Sequence, residues 1–166
     1  DRLKASSSFK IPKALAISKN FLVLEFLNGG GDKCWRKFGK NLAELHSCFG
    51  LKFGLNSDNY IGTLNQKNLF YDKWSDFYIN NRIIPLIEGL DYEKKIVNKL
   101  EKLMLNLDDF FDSNMKPCLL HGDLWANNFM FCKNNEVGLF DPSVYYGCSE
   151  TDIAMSKLFG GFDKSF

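Results

Sequence analysis

Three polar residues in the second half of the chain have the types and the spacing that metal-assisted group transfer requires. Asp123 lies in residues 121–128 (HGDLWANN), a polar, glycine-containing segment that follows an apolar one, and Asn128 is the fifth residue after it. A second carboxylate, that of Asp141, comes directly after the apolar run 137–140. Two carboxylates and one amide are thus predicted to lie around a short hairpin.

Phosphoryl transfer to a hydroxyl group needs this combination of side chains. One carboxylate accepts or orients the proton of the attacking hydroxyl, while a carboxylate and an amide oxygen hold Mg²⁺ against the phosphates. Kinases supply these groups with an Asp, an Asn five positions later, and a further Asp at the end of a hairpin. The spacing by itself leaves open the alternative that Asp123, Asn128 and Asp141 are unrelated polar residues of loops.

Residues 121–128 resemble the catalytic loop of the aminoglycoside phosphotransferase-like superfamily, and Trp125 points to its fructosamine-3-kinase branch. The resemblance covers nearly the whole chain, in the order of the branch. Its further segments are residues 42–46 (LAELH), 58–62 (DNYIG), 74–78 (WSDFY) with Arg82 and Pro85, 141–147 (DPSVYYG), 149–155 (SETDIAM) and 158–162 (LFGGF).

This resemblance implies a protein-kinase-like fold of the α+β class. Residues 1–27 would be the end of the N-terminal lobe with the strand that joins the lobes. Residues 28–166 would be a mostly helical C-terminal catalytic lobe with a small catalytic hairpin, truncated at its end. The chain is therefore expected to be a fragment that lacks the family's glycine-rich phosphate loop, strand lysine and glutamate partner, and to be inactive alone.

The resemblance also assigns roles to residues. Asp123 corresponds to the catalytic base, and Asn128 and Asp141 correspond to the Mg²⁺ ligands. The backbone around Glu25, Phe26 and Leu27 would meet the adenine of ATP. The implied reaction is ATP-dependent phosphorylation of the 3-hydroxyl of a ketosamine, a fructosamine or ribulosamine, which leads to protein deglycation.

Two other functions stay open. One is a small-molecule kinase of the aminoglycoside or choline kinase type, against which Trp125 and residues 158–162 argue. The other is a non-catalytic, pseudokinase-like fragment, which the missing phosphate loop and lysine favour and the retained acidic pair disfavours.

Three residues near the predicted site have a structural as well as a functional interpretation. His121 is expected to brace the loop by hydrogen bonds, since the Asp already supplies the base. Asp152, at the start of a helix that Ser149 is placed to cap, is expected to brace the loop too. Trp125 could line the substrate site or fill the core. Where Asn127 stands the family has Gly, which predicts a left-handed backbone that Asn tolerates.

The apolar pattern predicts the elements that hold these residues. Residues 21–27 indicate a buried strand, and apolar residues at helical spacing predict helices over 34–49, from about 71 to 84, and over 91–111. Residues 129–131 and 137–140 predict a hairpin. Residues 56–68 are predicted to be a polar loop.

Composition excludes several classes of protein. The formal net charge of the 166 residues is +1, so neither nucleic acid nor an anionic membrane is an expected partner. Apolar runs are too short for a transmembrane helix, and a signal-peptide pattern is absent from the sequence. The five cysteines are scattered without metal-site spacing, which favours reduced thiols and a cytoplasmic location.

Overall fold

The computed structural model describes residues 2–6, 8–88 and 93–166. Short helices and two-stranded antiparallel sheets alternate along the chain, which confirms the α+β class. The helices are α1 (Arg2–Ser6), α2 (Trp35–His46), α3 (Trp74–Tyr78), α4 (Ile84–Glu88), α5 (Lys94–Leu105) and α6 (Glu150–Phe159), with a π-helical turn at Ile79–Ile83 and a 3-10 turn at Leu107–Phe110. The strands are β1 (Ala14–Ile17), β2 (Leu22–Leu24), β3 (Asn59–Ile61), β4 (Leu64–Gln66), β5 (Cys118–Leu120), β6 (Phe129–Cys132), β7 (Glu136–Leu139) and β8 (Tyr145–Gly147).

Strand β5 runs between two hydrophobic cores. Leu119 packs in the first, with Phe38 and Leu45 of α2, whereas Cys118 and Leu120 pack in the second. Successive side chains of a strand point to opposite faces, so both faces of β5 are covered and all three residues are buried. Residue 121 therefore follows a strand whose position is fixed by packing on both faces.

The predicted catalytic hairpin is confirmed as β6 and β7. Phe129 pairs with Leu139 and Cys132 with Glu136. Asn134 and Asn135 both have positive φ in the connection, as the tight turns of hairpins require. Asp141 follows β7 by two residues, so its place at the end of the hairpin is also confirmed.

Backbone segments extend the hairpin on both sides. On the β7 side, the backbone amide of Leu139 donates a hydrogen bond to the carbonyl of Lys10 at 3.1 Å. On the β6 side, the backbone amide of Gly31 donates a hydrogen bond to the carbonyl of Phe131 at 3.1 Å. A Cβ on Gly31 would stand 1.8 Å from the carbonyl oxygen of Cys132, so the approach requires glycine. The glycine segment after residue 27 is thereby docked on the hairpin.

The prediction of a buried strand over residues 21–27 is wrong in extent and in burial. Strand β2 covers Leu22–Leu24 alone and pairs only with β1, whose four residues are all exposed. Phe26 is also exposed, whereas Leu27 is buried. An apolar run of this kind indicates that a strand can form, but it does not show whether other elements pack on the strand and bury its side chains.

Two predicted helices differ from the structure at their ends. Helix α2 stops at His46, so Phe49 lies beyond it and is exposed. The start of the helix predicted over 91–111 lies outside the described residues, and its end is at Leu105, before the separate 3-10 turn. Within the fully described α5 no side chain is buried, so its apolar stripe does not pack into the core.

The predicted polar loop over residues 56–68 contains the β3–β4 hairpin. Asn59 pairs with Gln66 and Ile61 with Leu64, and Gly62 has positive φ in the two-residue turn. The strands have only three residues each and carry polar side chains, which hid their β pattern in the sequence. This hairpin proves to be next to the candidate site.

Candidate active site

The loop after β5 is held by a buried carboxylate from α6. Asp152, which is 1% exposed, accepts hydrogen bonds from the backbone amides of His121 and Gly122, both at 2.9 Å. Its Oδ2 atom also lies 3.0 Å from Nε2 of His46, at the end of α2. The contacts place Asp152 where a loop-bracing residue must be. The hydroxyl of Ser149 makes no capping hydrogen bond to α6, although Ser149 is the residue before its first turn.

Both ring nitrogens of His121 are used within the site. Nδ1 lies 3.2 Å from the backbone nitrogen of Asp123 and Nε2 lies 2.9 Å from the carbonyl oxygen of Phe140. An amide can only donate and a carbonyl can only accept, so the neutral ring with its proton on Nε2 satisfies both. Burial lowers the pKa of His121, which agrees with this neutral form. The ring thus ties the start of the loop to the end of β7.

Asn128 connects the two acidic residues. Its Nδ2 donates to Oδ2 of Asp123 at 2.9 Å and to the backbone carbonyl of Asp123 at 2.8 Å, and lies 3.4 Å from the carbonyl oxygen of Asp141. The amide nitrogen is committed to the loop in this way, which leaves the amide oxygen as the group for a ligand. Asp123, Asn128 and Asp141, chosen from the sequence, therefore do lie together.

Asp141 has a left-handed backbone with φ of 51° and is exposed. Non-glycine residues in this conformation are uncommon and cluster at functional sites. The left-handed conformation predicted for Asn127 is wrong, because φ is positive at Asp141 and not at Asn127. The side chain at 127 is exposed, so nothing in the described structure reserves the position for glycine.

The oxygens of this site fit a hard cation whose coordination is completed by phosphates. The described residues contain no group of three or more His, Cys, Asp or Glu that could hold a metal. Mg²⁺ is commonly bound by one or two carboxylates together with substrate phosphates and water, not by an all-protein cage. The Asp141 carboxylate and the Asn128 amide oxygen offer that kind of partial set.

The segment after Asp141 packs against the loop without space for a side chain. A Cβ on Gly122, where φ is 80°, would stand 2.1 Å from the carbonyl oxygen of Ser143. The amide of Ser143 donates to the carbonyl of His121 at 2.9 Å. The relative position of the loop and the Asp141 segment is therefore fixed by backbone contact.

Amide side chains of the β3–β4 hairpin hold the same segment from outside, a connection that sequence reasoning missed. Nδ2 of Asn59 donates to the carbonyl of Val144 at 2.8 Å. Nε2 of Gln66 donates to the carbonyl of Ser143 at 3.2 Å and to Oδ1 of Asn59 at 2.9 Å. The Ser143 hydroxyl donates to the carbonyl of Tyr60. Ile-Gly-Thr-Leu at 61–64, a two-residue connection between apolar residues, was the available signal.

Two adjoining cavities lie beside Asp123. The first, of about 360 Å³, is lined by Ile61, Gly62, Leu64, Asp123, Trp125, Met155 and Phe159. The second, of about 320 Å³, shares Ile61, Leu64 and Met155 and extends along Tyr78, Arg82 and Tyr145. The Trp125 and Phe159 rings are 6.0 Å apart, and Trp125 lines the same cavity as Asp123 and belongs to neither core.

The segment that contains Glu25, Phe26 and Leu27 lies beside the catalytic hairpin. A Cβ on Gly138 of β7 would stand 2.8 Å from Cδ1 of Leu27. The side chain of Glu25 accepts a hydrogen bond from the amide of Lys13 at 3.2 Å and so faces the β1–β2 connection. Leu27 thus lies close to the hairpin that carries Asn128 and Asp141 at its two ends.

Known proteins resemble this chain in sequence and in structure. The family model for fructosamine kinase matches residues 1–166. The chain belongs to the fructosamine kinase family.

Relatives and solved structures agree with that membership. A probable ketoamine kinase from Synechocystis is 32% identical over 100% of this chain and 59% of its own length. The chloroplastic protein-ribulosamine 3-kinase of Arabidopsis thaliana is 35% identical over 89% of the chain and 47% of its own length. The crystal structure of a fructosamine-3-kinase homologue from Thermobifida fusca superposes with a TM-score of 0.86 at 29% identity, over 96% of this chain and 57% of that one.

The kinase-like fold is also shared outside the family. The ternary complex of APH(2")-IIa with streptomycin and ATP has a TM-score of 0.50 at 19% identity, over 90% of this chain and 54% of that one. At that identity the likeness shows the fold alone. The chain spans less than two thirds of the length of the Synechocystis and Arabidopsis thaliana relatives. Among its described residues, no helix has the length and apolar character needed to cross a membrane.

Proposed function

We propose that the full-length protein is an ATP-dependent kinase that phosphorylates the 3-hydroxyl of ketosamines, with protein deglycation as the outcome. The hydrogen bond between Asn128 and Asp123 is the observation that carries the proposal. It places a carboxylate that could accept the proton of the acceptor's hydroxyl next to an amide whose oxygen could bind Mg²⁺. Membership of the family, and relatives named ketoamine kinase and protein-ribulosamine 3-kinase, support the ketosamine as acceptor.

Asp123 would act as the catalytic base in this reaction. Its carboxylate lines the cavity that a substrate can enter, and Asn128 Nδ2 holds Oδ2 by a hydrogen bond. One carboxylate oxygen is therefore fixed while the other is left to take the proton of the attacking hydroxyl. His121 and Asp152 would act through the backbone of the loop, as positioning residues.

Asn128 and Asp141 would hold Mg²⁺ through the amide oxygen and the carboxylate. Bound there, the cation would neutralise charge on the phosphates of ATP. We further propose that the backbone of Glu25, Phe26 and Leu27 receives the adenine. That role accords with residues 1–27 as the end of an N-terminal lobe and residues 28–166 as the catalytic lobe.

The proposed location is the cytoplasm, where thiols stay reduced. All five cysteines are free. Burial raises the pKa of Cys118 to about 12 and also raises the pKa of Cys148, so both thiols remain protonated and unreactive at neutral pH.

The test is phosphorylation by the full-length protein with Mg-ATP and a set of acceptors. The set contains a synthetic fructosamine, the matching ribulosamine, choline and an aminoglycoside, and ³¹P NMR identifies the product. We expect a ketosamine 3-phosphate, formed at least about 100-fold more slowly when Asp123→Asn replaces the wild type. Preferred phosphorylation of choline or the aminoglycoside would support the other kinase class. Mg-ATP binding without turnover of any acceptor would support a non-catalytic role.

A further inference from the structure

The residues that line the cavity beside Asp123 are mostly apolar. We define the apolar wall as Ile61, Leu64, Trp125, Met155 and Phe159, all of which line the ≈ 360 Å³ cavity. Asp123 is the charged residue in that lining. A sugar's hydroxyl groups need hydrogen-bond partners when they leave water, and the indole N–H of Trp125 is the one side-chain group of this wall that can supply one. Most of the wall is therefore suited to another, apolar part of the acceptor.

The charge in the adjoining cavity is bonded to protein groups through two of its three nitrogens. Arg82 donates to the carbonyl of Lys67 at 2.6 Å and to Oδ1 of Asn68 at 2.9 Å, while its Nε atom is buried and has no hydrogen-bond partner among the described residues. The guanidinium also lies over the rings of Phe77 and Tyr145, 4.7 and 4.3 Å from their centroids. Polar residues also line this second cavity, namely Asn65, Gln66, Asn81 and Thr151, so the apolar surface that a ligand meets is chiefly the wall of the first cavity.

We propose that the apolar wall binds the carbon chain on the amine of the acceptor, so that the site selects ketosamines carried by aliphatic or aromatic amines over those on short or polar amines. The inference rests on the proposed function and deepens it. The occupant is fixed by continuity with Asp123. If the sugar hydroxyl approaches that carboxylate, the neighbouring substituent on the amine extends along the wall.

Leu64 is the residue on which the selection depends most directly. It lines both cavities and is 55% exposed in the absence of an acceptor. A bound carbon chain would remove apolar surface of Leu64 and of itself from water, which favours binding. The contacts of Asn59 and Gln66 with the Asp141 segment hold the β3–β4 hairpin, and with it Leu64, beside the site.

The experiment measures kcat and KM of the full-length protein on fructosamines that differ only in the amine substituent, from methyl to n-butyl, with a hydroxypropyl member that matches n-butyl in length. Wild type is compared with Leu64→Asn, which is similar in size but polar, and with Leu64→Met, which stays apolar. Leu105→Asn is the control, since Leu105 is 84% exposed on α5 and lines neither cavity. Thermal melts check that each variant is folded.

We expect kcat/KM to rise about fourfold for each added methylene in wild type, as burial of apolar surface predicts. The rise should appear in KM, because the substituent is remote from the reacting hydroxyl and binds alike in ground and transition states. Leu64→Asn should flatten the series, whereas Leu64→Met and Leu105→Asn should preserve it.

Each contrary result has a distinct meaning. A flat series in wild type, or equal use of the n-butyl and hydroxypropyl members, overturns the inference and leaves the proposed function standing. A rise that persists unchanged in folded Leu64→Asn overturns the assignment to the wall. Failure to phosphorylate any ketosamine overturns the proposed function, and the inference with it.

Discussion

Oδ2 of Asp152 accepts a hydrogen bond from the backbone amide of His121 at 2.9 Å, so that the first turn of α6 holds the start of the loop that contains Asp123. The sequence separates the two residues by 31 positions. Through this contact the position of Asp123, two residues after His121, depends on a carboxylate that is not itself in the cavity beside Asp123.

Asp152→Ala should destabilise the protein and impair the proposed kinase activity. Removing the carboxylate leaves the buried amides of His121 and Gly122 unpaired, and each unsatisfied group of this kind costs about 1–3 kcal/mol. Thermal or urea unfolding measures the loss. Asp109→Ala, at an exposed residue of the 3-10 turn, is the control and should change the free energy of unfolding by less than about 0.5 kcal/mol. Equal stability of the two variants would contradict a bracing role for Asp152.

Stability should fall on acidification because His121 is neutral in the fold. Burial lowers its pKa in the folded state, whereas in the unfolded chain the pKa of His is about 6.5. Below that pH the unfolded chain binds a proton that the folded chain does not. The His121 contribution is therefore fully present above pH 6.5 and is lost as the pH falls from there towards the folded pKa.

The measurement is the free energy of unfolding from pH 5 to pH 8 for wild type and His121→Gln. One linked proton gives a slope of at most about 1.4 kcal/mol per pH unit. The variant should be less stable at pH 8 and should depend less on pH between 5 and 6.5. Parallel curves for the two proteins would show that another group causes the acid sensitivity.

Gly31→Ala should be far more disruptive than Gly29→Ala. At Gly31 the added Cβ would be 1.8 Å from the carbonyl oxygen of Cys132, whereas at Gly29 the nearest atom, Sδ of Met130, is 3.7 Å away. Crowding of this kind costs about 1–3 kcal/mol, and it would move the segment that follows Leu27 off the hairpin. We expect Gly31→Ala to melt lower and to bind ATP more weakly. Similar melts and similar ATP affinity for both variants would argue against tight docking of this segment.

The proximity of Asp123, Asn128 and Asp141 was predictable from sequence, because a loop and a hairpin that short-range signals specify bring them together. The Asn-Asn turn and the apolar runs beside it were enough to predict β6 and β7. The bracing role of His121 required only that its ring be buried next to the loop.

Long-range partners were not predictable in the same way. Three contacts depend on which elements pack together: that of Asp152 with His46, that of Gly31 with β6, and the hydrogen bond from Gln66 to Ser143. The spacing of apolar residues along the sequence does not show which elements pack together. The same gap explains β2 and α5, whose apolar residues matched a strand and a helix but lie largely exposed.

Asp141→Asn should weaken Mg-ATP binding more than Asp123→Asn does. Asn tolerates the left-handed backbone at position 141, so the change removes charge without adding strain. If Asp141 holds the cation, the affinity for Mg-ATP should fall by more than about tenfold, the factor that about 1.4 kcal/mol represents. Calorimetric titration of both variants of the full-length protein decides the matter. Loss of nucleotide binding in Asp123→Asn alone would reverse the two assignments.

Asp123→Asn should leave the fold intact and remove most of kcat. The amide is nearly the size of the carboxylate, and its oxygen can still accept the hydrogen bond from Nδ2 of Asn128, which lies 2.9 Å from Oδ2 in the native site. What is lost is the charge that draws the proton from the attacking hydroxyl. General base assistance is worth about 10²–10⁴-fold in rate, and KM for ATP should change little because the interaction forms chiefly in the transition state.

The measurement is steady-state and single-turnover kinetics of the full-length protein on a synthetic fructosamine, with a thermal melt to verify folding. Single-turnover rates are needed because slow product release would mask a change in the chemical step. Asp109→Asn is a matched control that should keep the wild-type rate, since it makes the same exchange at an exposed residue that lines neither cavity. A folded Asp123→Asn variant that keeps more than about a tenth of the single-turnover rate falls short of the smallest expected loss. In that event Asp123 is not the base, and its bond to Asn128 serves only to shape the loop.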